Sequence, residues 1–529
     1  MTQNLRVTKD LSISHRVNDM SFTLKLALAC LSGLLLTLAY APFSFWCVTF
    51  LSLTSFIYLL SHSLPNQGFK LGFAFGLGWF GAGVSWVHVS IADFGGVPLI
   101  GSIALMLLLS GYLALFPALS CYLVTKYFTH KLWPMAFPFI WLLIEWLRSW
   151  FLTGFPWLSL GYSQIQGPLS GWFPIIGELG VSGLIILICA ALGVWLADKK
   201  WLPSSMIVTV LFVSGIALNQ YQWAKPTDEN VRIAMVQGNI EQALRWTPEQ
   251  DQPTMDKYKN MTADHWHNDV IIWPEAAVPK LEPVAKDYLS EMDNLASHTN
   301  TGLITGIVNY NFETRQAFNN LIGLGQKHQN DSNGKDTTRG HYRYFHANRY
   351  AKHHLLPIGE FIPLEDWIRG LAPIFDLPMS SFSRGDYQQA NLEVKGYHFA
   401  PAICFEIAFP RQISANLYYN TDFIITVSND AWFGGSHGPA QHLEIAQARA
   451  KEFGLPVLRA TNNGITAFIN HRGEIQSRLP QFEAAVLSDS IQQVKGYTPY
   501  RSFGDWPVWC LSLIIFGCAC WNKKQLKDT

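Results

Sequence analysis

Charged residues are scarce in this sequence, and the scarcity is concentrated in one part of it. Asp, Glu, Lys and Arg make up 14% of the 529 residues, against a usual share of about 25%. Residues 21–220 hold only 11 of them. A helix that crosses a bilayer needs about 20 consecutive apolar residues, whereas a soluble core helix does not. The composition therefore excludes an entirely soluble chain and predicts a membrane part.

Three further absences narrow the range of possible functions. Lys and Arg together number 38, and so do Asp and Glu, so the chain lacks the basic surplus of a nucleic-acid-binding protein. The 16 histidines are scattered without the spacing of metal ligands. No glycine-rich loop of the phosphate-binding type is present. We therefore expect no nucleic-acid partner, no metal and no cofactor.

Eight apolar segments predict eight transmembrane helices, because each approaches the length of a membrane span. Lys and Arg follow the second, fourth, sixth and eighth segments but are missing from the loops at 43, 91–96 and 153–173. Basic residues accumulate in cytoplasmic loops, so we expect both termini in the cytoplasm. The segments lie near residues 24–42, 44–61, 70–90, 97–123, 133–152, 174–197, 203–219 and 505–521.

These segments divide the chain into three predicted parts. Residues 1–220 form an N-terminal membrane domain of seven helices, and residues 503–529 form a C-terminal transmembrane helix with a cytoplasmic tail. Residues 221–502 then lie outside the cytoplasm. There, short apolar runs alternate with helical patterns such as residues 438–453, which predicts an α/β layered domain. The predicted strands are 231–240, 269–275, 302–310, 398–404, 422–430, 455–463 and 465–470.

The predicted outer domain lacks a second cysteine. Cys404 is its only one among the eight of the chain, which excludes a disulfide within the domain, although cysteines outside the cytoplasm usually pair. One interpretation is an inert thiol buried in the core. The other is a reactive thiol, because Cys404 stands where a strand ends and a helix is predicted near residues 409–419. A helix N-terminus lowers the pKa of a thiol and favours the reactive thiolate.

Other ionisable side chains lie near predicted strand ends. Glu275 follows the apolar run and proline of "IIWPEAA", and "YAKHHLLPIGEF" carries Lys352 and Glu360. Side chains with chemical roles in open α/β sheets gather at such ends. Structural interpretations stay open beside the chemical ones. Glu275 would then be a helix cap or surface carboxylate, Lys352 a solvated residue, and Glu360 and Glu406 ion-pair partners.

In chain order, Glu275, Lys352 and Cys404 resemble the Glu-Lys-Cys triad of the nitrilase, or carbon–nitrogen hydrolase, superfamily, whose fold is an αββα sandwich. Such a domain after seven spans and before an eighth resembles the bacterial apolipoprotein N-acyltransferases, and the likeness covers nearly the whole chain. Phe405 departs from it, since many relatives carry tyrosine there. The motifs that share in the likeness are "TGFPW" (153–157), "LGYSQ" (160–164), "DLPMSSFSRG" (376–385), "SNDAWFG" (428–434) and "RATNNGITA" (459–467).

The resemblance implies acyl transfer in two steps. The donor would be a membrane phospholipid, by preference the sn-1 chain of phosphatidylethanolamine. The acceptor would be the N-terminal amine of a diacylglyceryl-cysteine on an apolipoprotein, at the last step of bacterial lipoprotein maturation. A thioester would hold the acyl chain between the steps, which gives ping-pong kinetics. The protein would be a multi-pass protein of the bacterial inner membrane, with its catalytic domain in the periplasm.

The resemblance also implies roles for residues. Cys404 would be the nucleophile, Glu275 the general base, and Lys352 the group that stabilises the oxyanion of each tetrahedral intermediate. Glu360 would be a second carboxylate that orients Lys352 or the amine. Glu406, two residues after the nucleophile, would hydrogen-bond the backbone beside it.

Three features are candidates for contact with substrate or lipid. Trp246 resembles a family tryptophan near the substrate entrance, with surface packing as the alternative. Arg148 lies near the predicted outer end of the fifth segment, where a charge is costly. It would bind a lipid phosphate or else pair with Glu145, three residues earlier. Residues 363–382 place apolar side chains at helical spacing, which predicts either a lid on the bilayer surface or ordinary packing onto the domain.

Two other functions fit parts of the sequence. A membrane-tethered amidase would use the same three residues, but a soluble substrate would not need seven preceding spans. A transporter would use the spans, but these hold only Glu145, Arg148 and Glu178 as ionisable candidates for a relay, and the triad would have no role. Acyl transfer accounts for both halves of the chain.

Overall fold

Two compact units make up the chain. The computed structural model describes residues 17–198, 201–244, 247–325, 342–357, 359–361 and 382–528. The first unit comprises Met1–Gln222 together with Ser502–Thr529, and the second comprises Trp223–Arg501. After the parts and roles that the sequence predicts for them, we call them the membrane unit and the catalytic unit. In their described parts, the membrane unit consists of helices, whereas the catalytic unit combines strands and helices.

The membrane unit has a helix at each of the eight predicted apolar segments. The last of them is the C-terminal helix, Trp506–Asp528. The other seven are α1 (Phe22–Leu36), α2 (Cys47–Ser61), α3 (Gly68–Gly83), α4 (Leu99–Tyr127), α5 (Trp133–Arg148), α6 (Phe173–Asp198) and α7 (Trp201–Gln220).

Only some of these helices have the length and composition of a membrane span. Phe22–Ala39, Leu99–Tyr127 and Ser170–Asp198 qualify, and Pro65–Gly83 with Val87–Phe94 make a fourth if this pair, bent by 60°, is one span. Shorter apolar helices lie at Cys47–Ser61 and Ser204–Gln220. The described residues therefore contain three or four candidate spans by these criteria, and the count of eight stays a prediction.

The catalytic unit contains thirteen described strands in two sheets. They are β1 (Lys225–Gln237), β2 (Val270–Ile272), β3 (Val278–Leu281), β4 (Gly302–Asn311), β5 (Gln316–Leu324), β6 (Arg349–Ala351), β7 (Leu392–Val394), β8 (Tyr397–Ile403), β9 (Phe423–Ser428), β10 (Val457–Thr461), β11 (Ala467–Ile469), β12 (Ile475–Arg478) and β13 (Ala485–Lys495). The first sheet has the order β13-β1-β2-β4-β5-β6, with β3 beside β4, and the second has the order β12-β11-β10-β9-β8-β7.

Both sheets are parallel in the middle and antiparallel at the edges. In the first sheet β1, β2 and β4 run parallel, and in the second β8, β9 and β10 do. The helices that accompany them are α8 (Pro248–Thr262), α9 (Lys286–Thr299), α10 (Pro410–Ala415), α11 (Gly438–Phe453) and α12 (Pro499–Phe503). Parallel strands end on one side of a sheet, so this arrangement gathers several strand ends in one place.

The two sheets pack face to face, with helices outside them. Ile233 of β1 lies in the core between the sheets together with Ile425 of β9. The next residue, Ala234, faces the other way, towards Met255 of α8 and Leu289 of α9. Successive side chains of a strand point to opposite faces, so strands covered on both sides are apolar throughout. The layers are helix, sheet, sheet and helix, and the predicted α/β fold is confirmed.

Candidate active site

Three of the predicted site residues stand just beyond strand ends of the catalytic unit. Cys404 directly follows β8, Lys352 directly follows β6, and Glu275 lies three residues after β2. The Lys352 ammonium is 3.7 Å from Glu275 Oε1, and the charges of both residues act on the Cys404 thiol. The structure therefore brings all three together in one site.

Lys352 is buried between two carboxylates. Its Nζ lies 2.7 Å from Glu360 Oε2 and 3.7 Å from Glu275 Oε1. Burial alone would lower the pKa of Lys352, but the charges of Glu360 and Glu275 outweigh burial and raise it well above its usual value. The ammonium therefore stays charged, as a group that stabilises an oxyanion must.

Glu275 is fixed by hydrogen bonds to both of its carboxylate oxygens. Asn319 Nδ2 donates to Glu275 Oε1 at 2.7 Å and to Glu360 Oε1 at 3.0 Å, which ties the two carboxylates to each other. The backbone N–H of Asn429 donates to Glu275 Oε2 at 3.0 Å. A Cβ on Gly306 of β4 would lie 2.8 Å from Glu275 Cα, so only glycine lets the turn that carries Glu275 pack so closely on the sheet.

Cys404 occupies a strained turn. Its φ of +55° lies in the left-handed region, which costs a residue with a Cβ free energy and marks functional turns. Glu406 braces this turn: its Oε2 accepts the N–H of Ile403 at 2.8 Å, and its Oε1 accepts the N–H groups of His353 and His354 at 2.8 and 2.9 Å. Glu406 thus links the turn that carries Cys404 to the chain that follows Lys352.

The Cys404 thiol is protonated at neutral pH. Burial and then the Glu275 charge raise its pKa to about 12, although Lys352 and Ser428 act in the opposite direction. The expectation of a lowered thiol pKa is wrong, because desolvation and a nearby carboxylate outweigh the short 3₁₀ turn at Cys404–Ala408. A protonated thiol would need a base in order to react, and Glu275 is the carboxylate whose charge acts on it most strongly.

The structure places the remaining predicted residues elsewhere or leaves them undescribed. Trp246 and residues 363–381 lie outside the described part of the chain. Arg148 is buried in the membrane unit, where Nη1 donates to the carbonyls of Phe155 and Trp157 at 2.7 Å and Nη2 lies 3.3 Å from Glu145 Oε1. These contacts favour the structural pair over a lipid-phosphate contact.

Some site residues carry no signal that sequence reasoning could use. Asn319 lies in β5, which has no clear strand pattern in the sequence, and its role depends on which carboxylates reach it. Ser428 and Asp430 belong to "SNDAWFG", one of the motifs that resemble the family, but the sequence does not show that they lie close to Cys404. Among the described residues, no group of three or more His, Cys, Asp or Glu side chains could hold a metal ion.

The fold of the catalytic unit is that of the carbon–nitrogen hydrolases, and residues 232–498 match the family model described as carbon-nitrogen hydrolase. Residues 32–191 match the model of the apolipoprotein N-acyltransferase N-terminal domain. The chain belongs to the apolipoprotein N-acyltransferase family. With its apolar helices, it is a bacterial membrane protein.

Relatives match the chain over most of its length. It is 44% identical to the apolipoprotein N-acyltransferase of Vibrio parahaemolyticus over 501 residues, which cover 94% of this chain and 97% of the relative. Identity to the Shewanella oneidensis enzyme of that name is 43% over 510 residues, 95% and 97% of the two chains. Among solved structures, Nit3 of Saccharomyces cerevisiae, a nitrilase-superfamily member, aligns with 50% of this chain and 90% of its own, with 14% identity and a TM-score of 0.35.

Proposed function

We propose that this protein transfers an acyl chain from a membrane phospholipid to the N-terminal amine of a diacylglyceryl-cysteine on an apolipoprotein. The observation that carries the proposal is Cys404, the one cysteine of the catalytic unit, in a strained turn beside a charged Lys352 and the Glu275 carboxylate. The relatives support it, because they are named for N-acyl transfer to apolipoproteins. The proposed donor is the sn-1 ester of phosphatidylethanolamine.

The first half-reaction acylates Cys404. Glu275 accepts the thiol proton as the sulfur attacks the ester carbonyl carbon, and the new C–S bond places negative charge on the carbonyl oxygen. Lys352 stabilises that oxyanion. The C–O bond to glycerol then breaks, and Glu275 returns the proton to the glycerol oxygen. A lysophospholipid leaves, and the acyl chain remains as a thioester on Cys404.

The second half-reaction forms the amide. The acceptor amine attacks the thioester carbonyl, and Glu275 removes a proton from the attacking nitrogen. The C–N bond forms and the C–S bond breaks, after which the proton returns to the Cys404 sulfur. One site performs both steps in turn, which is ping-pong catalysis. Glu360 holds Lys352 in place throughout, and Glu406 holds the turn of the nucleophile.

The role proposed for the membrane unit is to bind both lipid substrates so that their reacting groups are available to the catalytic unit. We place eight spans in the inner membrane, both termini in the cytoplasm and the catalytic unit in the periplasm. The support for this orientation is the absence of Lys and Arg from the loops at 43, 91–96 and 153–173, because basic residues accumulate in cytoplasmic loops.

A transfer assay with a defined acceptor tests this function. The purified protein is incubated with phosphatidylethanolamine and a synthetic peptide that begins with diacylglyceryl-cysteine, and the mass of the peptide is followed. We expect a gain of one acyl chain with the wild type and none with Cys404→Ser. A matched peptide with an acetylated N-terminus should gain nothing. Release of free fatty acid with an unchanged peptide would instead identify a hydrolase.

A further inference from the structure

Residues of two sequence motifs that contain no member of the triad contact one another beside Cys404. "SNDAWFG" supplies Ser428, the last residue of β9, and Asp430. "RATNNGITA" supplies Arg459 of β10 and Gly464. The side chains of Ser428, Asp430 and Arg459 are buried, with at most 1% of each residue exposed. The space is close-fitting, because a Cβ on Gly464 would lie 2.7 Å from Asp430 Cγ.

Ser428 lies between the nucleophile and a carboxylate. Its Oγ is 3.5 Å from Cys404 Sγ and 2.5 Å from Asp430 Oδ1. Burial alone would raise the pKa of Asp430, but Arg459, whose Nη2 is 2.6 Å from Oδ2, holds it well below its usual range. Asp430 is therefore ionised. A serine hydroxyl has one proton, so the sulfur and Asp430 compete for it.

A histidine connects the same cluster to the backbone of the nucleophile. His442 Nε2 lies 3.1 Å from the Cys404 carbonyl, and Nδ1 lies 3.2 Å from Arg459 Nη2 and 3.2 Å from Asp430 Oδ1. Burial and then the Arg459 charge lower the pKa of His442, which leaves the ring neutral. Nε2 donates to the carbonyl and so carries the proton, and Nδ1 accepts from Arg459. The cluster therefore contacts both the side chain and the backbone of Cys404.

We propose that Ser428 is a further catalytic residue, whose hydroxyl donates a hydrogen bond to the Cys404 sulfur while that atom carries negative charge. Asp430, Arg459 and His442 act through it as positioning residues. As Glu275 takes the thiol proton, the Ser428 hydroxyl turns from Asp430 to the sulfur. It turns back once the C–S bond forms, and Ser428 loses no proton in either step. The inference rests on the proposed function for its place in the reaction.

The competition between the sulfur and Asp430 predicts opposite effects of two substitutions. Ser428→Ala removes a donor from the thiolate, so Cys404 should become harder to ionise. Asp430→Asn replaces a charged competitor for the hydroxyl proton with a weaker, neutral acceptor and removes a negative charge near the sulfur, so Cys404 should ionise more easily. The other charged groups that act on the thiol, Glu275 and Lys352, are unchanged in both variants. General disruption of the site would not shift the two variants in opposite directions.

Alkylation of Cys404 by iodoacetamide measures this ionisation without any acyl donor. The rate is followed against pH in the full-length protein, at the peptide that contains Cys404, so that other cysteines do not contribute. In Ser428→Ala we expect the profile to move up by about one pH unit, which is roughly tenfold slower alkylation at a given pH. In Asp430→Asn we expect faster alkylation. Thr426→Val is the matched control, because it removes a buried hydroxyl from the same face of β9.

The outcomes separate this inference from the proposed function. An alkylation profile of Ser428→Ala identical to that of Thr426→Val would overturn the inference, even if the wild type accumulates a thioester. A shifted profile in a protein that never accepts an acyl chain would overturn the proposed function and leave the hydrogen bond standing. If Asp430→Asn does not fold, the comparison of Ser428→Ala with Thr426→Val still tests the inference.

Discussion

At the scale of single residues, Lys352 has two tasks that can be separated. It keeps Glu275 and Glu360 together in a buried site, where two carboxylates without a cation would repel each other. In the proposed reaction it also stabilises the oxyanion. Removing one member of a buried ion pair costs about 3–5 kcal/mol, because the other charge is left uncompensated.

Lys352→Met should therefore lose both stability and acyl transfer, with a cost to stability of about 3–5 kcal/mol. Adding Glu360→Gln to this variant removes one of the two carboxylates that are left without a cation, and it should restore part of the stability. Stability is measured by thermal unfolding of the full-length protein. Acyl transfer should stay absent in the double variant. Recovery of activity together with stability would show that Lys352 is only a structural partner.

Glu275→Gln should change two reactions of Cys404 in opposite directions. The Glu275 charge helps to raise the pKa of the thiol to about 12, so its removal should speed alkylation of Cys404 at any pH below that value. Acyl transfer should fall by about 10²–10⁴-fold, because a general base is lost. The two rates are measured on the same preparation, with Cys404→Ser as the blank. Slower alkylation in this variant would contradict the account.

The residue types of the site could be predicted from the sequence, but their electrostatics could not. Glu275 and Cys404 stand beside strand ends that apolar runs make visible, whereas Lys352 follows β6, a short strand that no apolar run predicts. The pKa of Cys404 depends on how far the thiol is desolvated and how near Glu275 lies, and the sequence encodes neither in a readable form. Asn319 and Ser428 matter only because folding brings them to Glu275 and Cys404.

At the scale of secondary structure elements, β6 is one of the shortest strands and yet positions a residue of the site. β6 has three residues and leads directly into Lys352. Its first residue, Arg349, holds Glu282 with two parallel hydrogen bonds of 2.9 Å, one to each carboxylate oxygen. Burial alone would raise the pKa of Glu282, but its hydrogen bond and charge interaction with Arg349 lower it. We infer that this buried ion pair holds β6 in place, because a strand of three residues has few backbone hydrogen bonds of its own.

Arg349→Met should destabilise the protein by about 3–5 kcal/mol, because Glu282 is left buried and unpaired. Arg349→Lys should recover only part of the loss, since lysine cannot make the paired contact. A carboxylate with a lowered pKa contributes stability above its unfolded pKa of about 4.3, and that contribution is lost as pH falls through the folded value. The wild type should therefore lose more stability than Arg349→Met on acidification. A loss of stability under about 1 kcal/mol for Arg349→Met at neutral pH would show that the Arg349–Glu282 pair does not stabilise β6.

Most strands in the middle of the sheets could be predicted, and the four edge strands, β6, β7, β12 and β13, could not. A strand of the structure overlaps each of the seven predicted segments, and α11 spans the residues predicted for it, Gly438–Phe453. The strands without a prediction are β3, β5, β6, β7, β12 and β13. Edge strands such as β12, with alternating exposure, mix polar and apolar residues and resemble loops. The helix predicted near residues 409–419 is the six-residue α10.

At the scale of the whole molecule, the proposed function requires the catalytic unit to lie outside the cytoplasm. Cysteine labelling in intact cells with a membrane-impermeant maleimide tests this. Thr314→Cys, at an exposed position of the catalytic unit, should be labelled without permeabilisation. Lys524→Cys, near the C-terminus, should be labelled only after it. The parent chain gives the background of its own cysteines, and the reverse pattern would place the catalytic unit inside and exclude the proposed topology.

The central claim is that Cys404 carries the acyl chain between the two substrates, and an intact mass of the protein tests it most directly. The purified protein is incubated with phosphatidylethanolamine and no acceptor. We expect a gain of one acyl chain that hydroxylamine removes, that an added diacylglyceryl-cysteine peptide also removes, and that Cys404→Ser does not show. A folded wild type that transfers acyl chains to the peptide but never gains this mass would contradict the thioester mechanism.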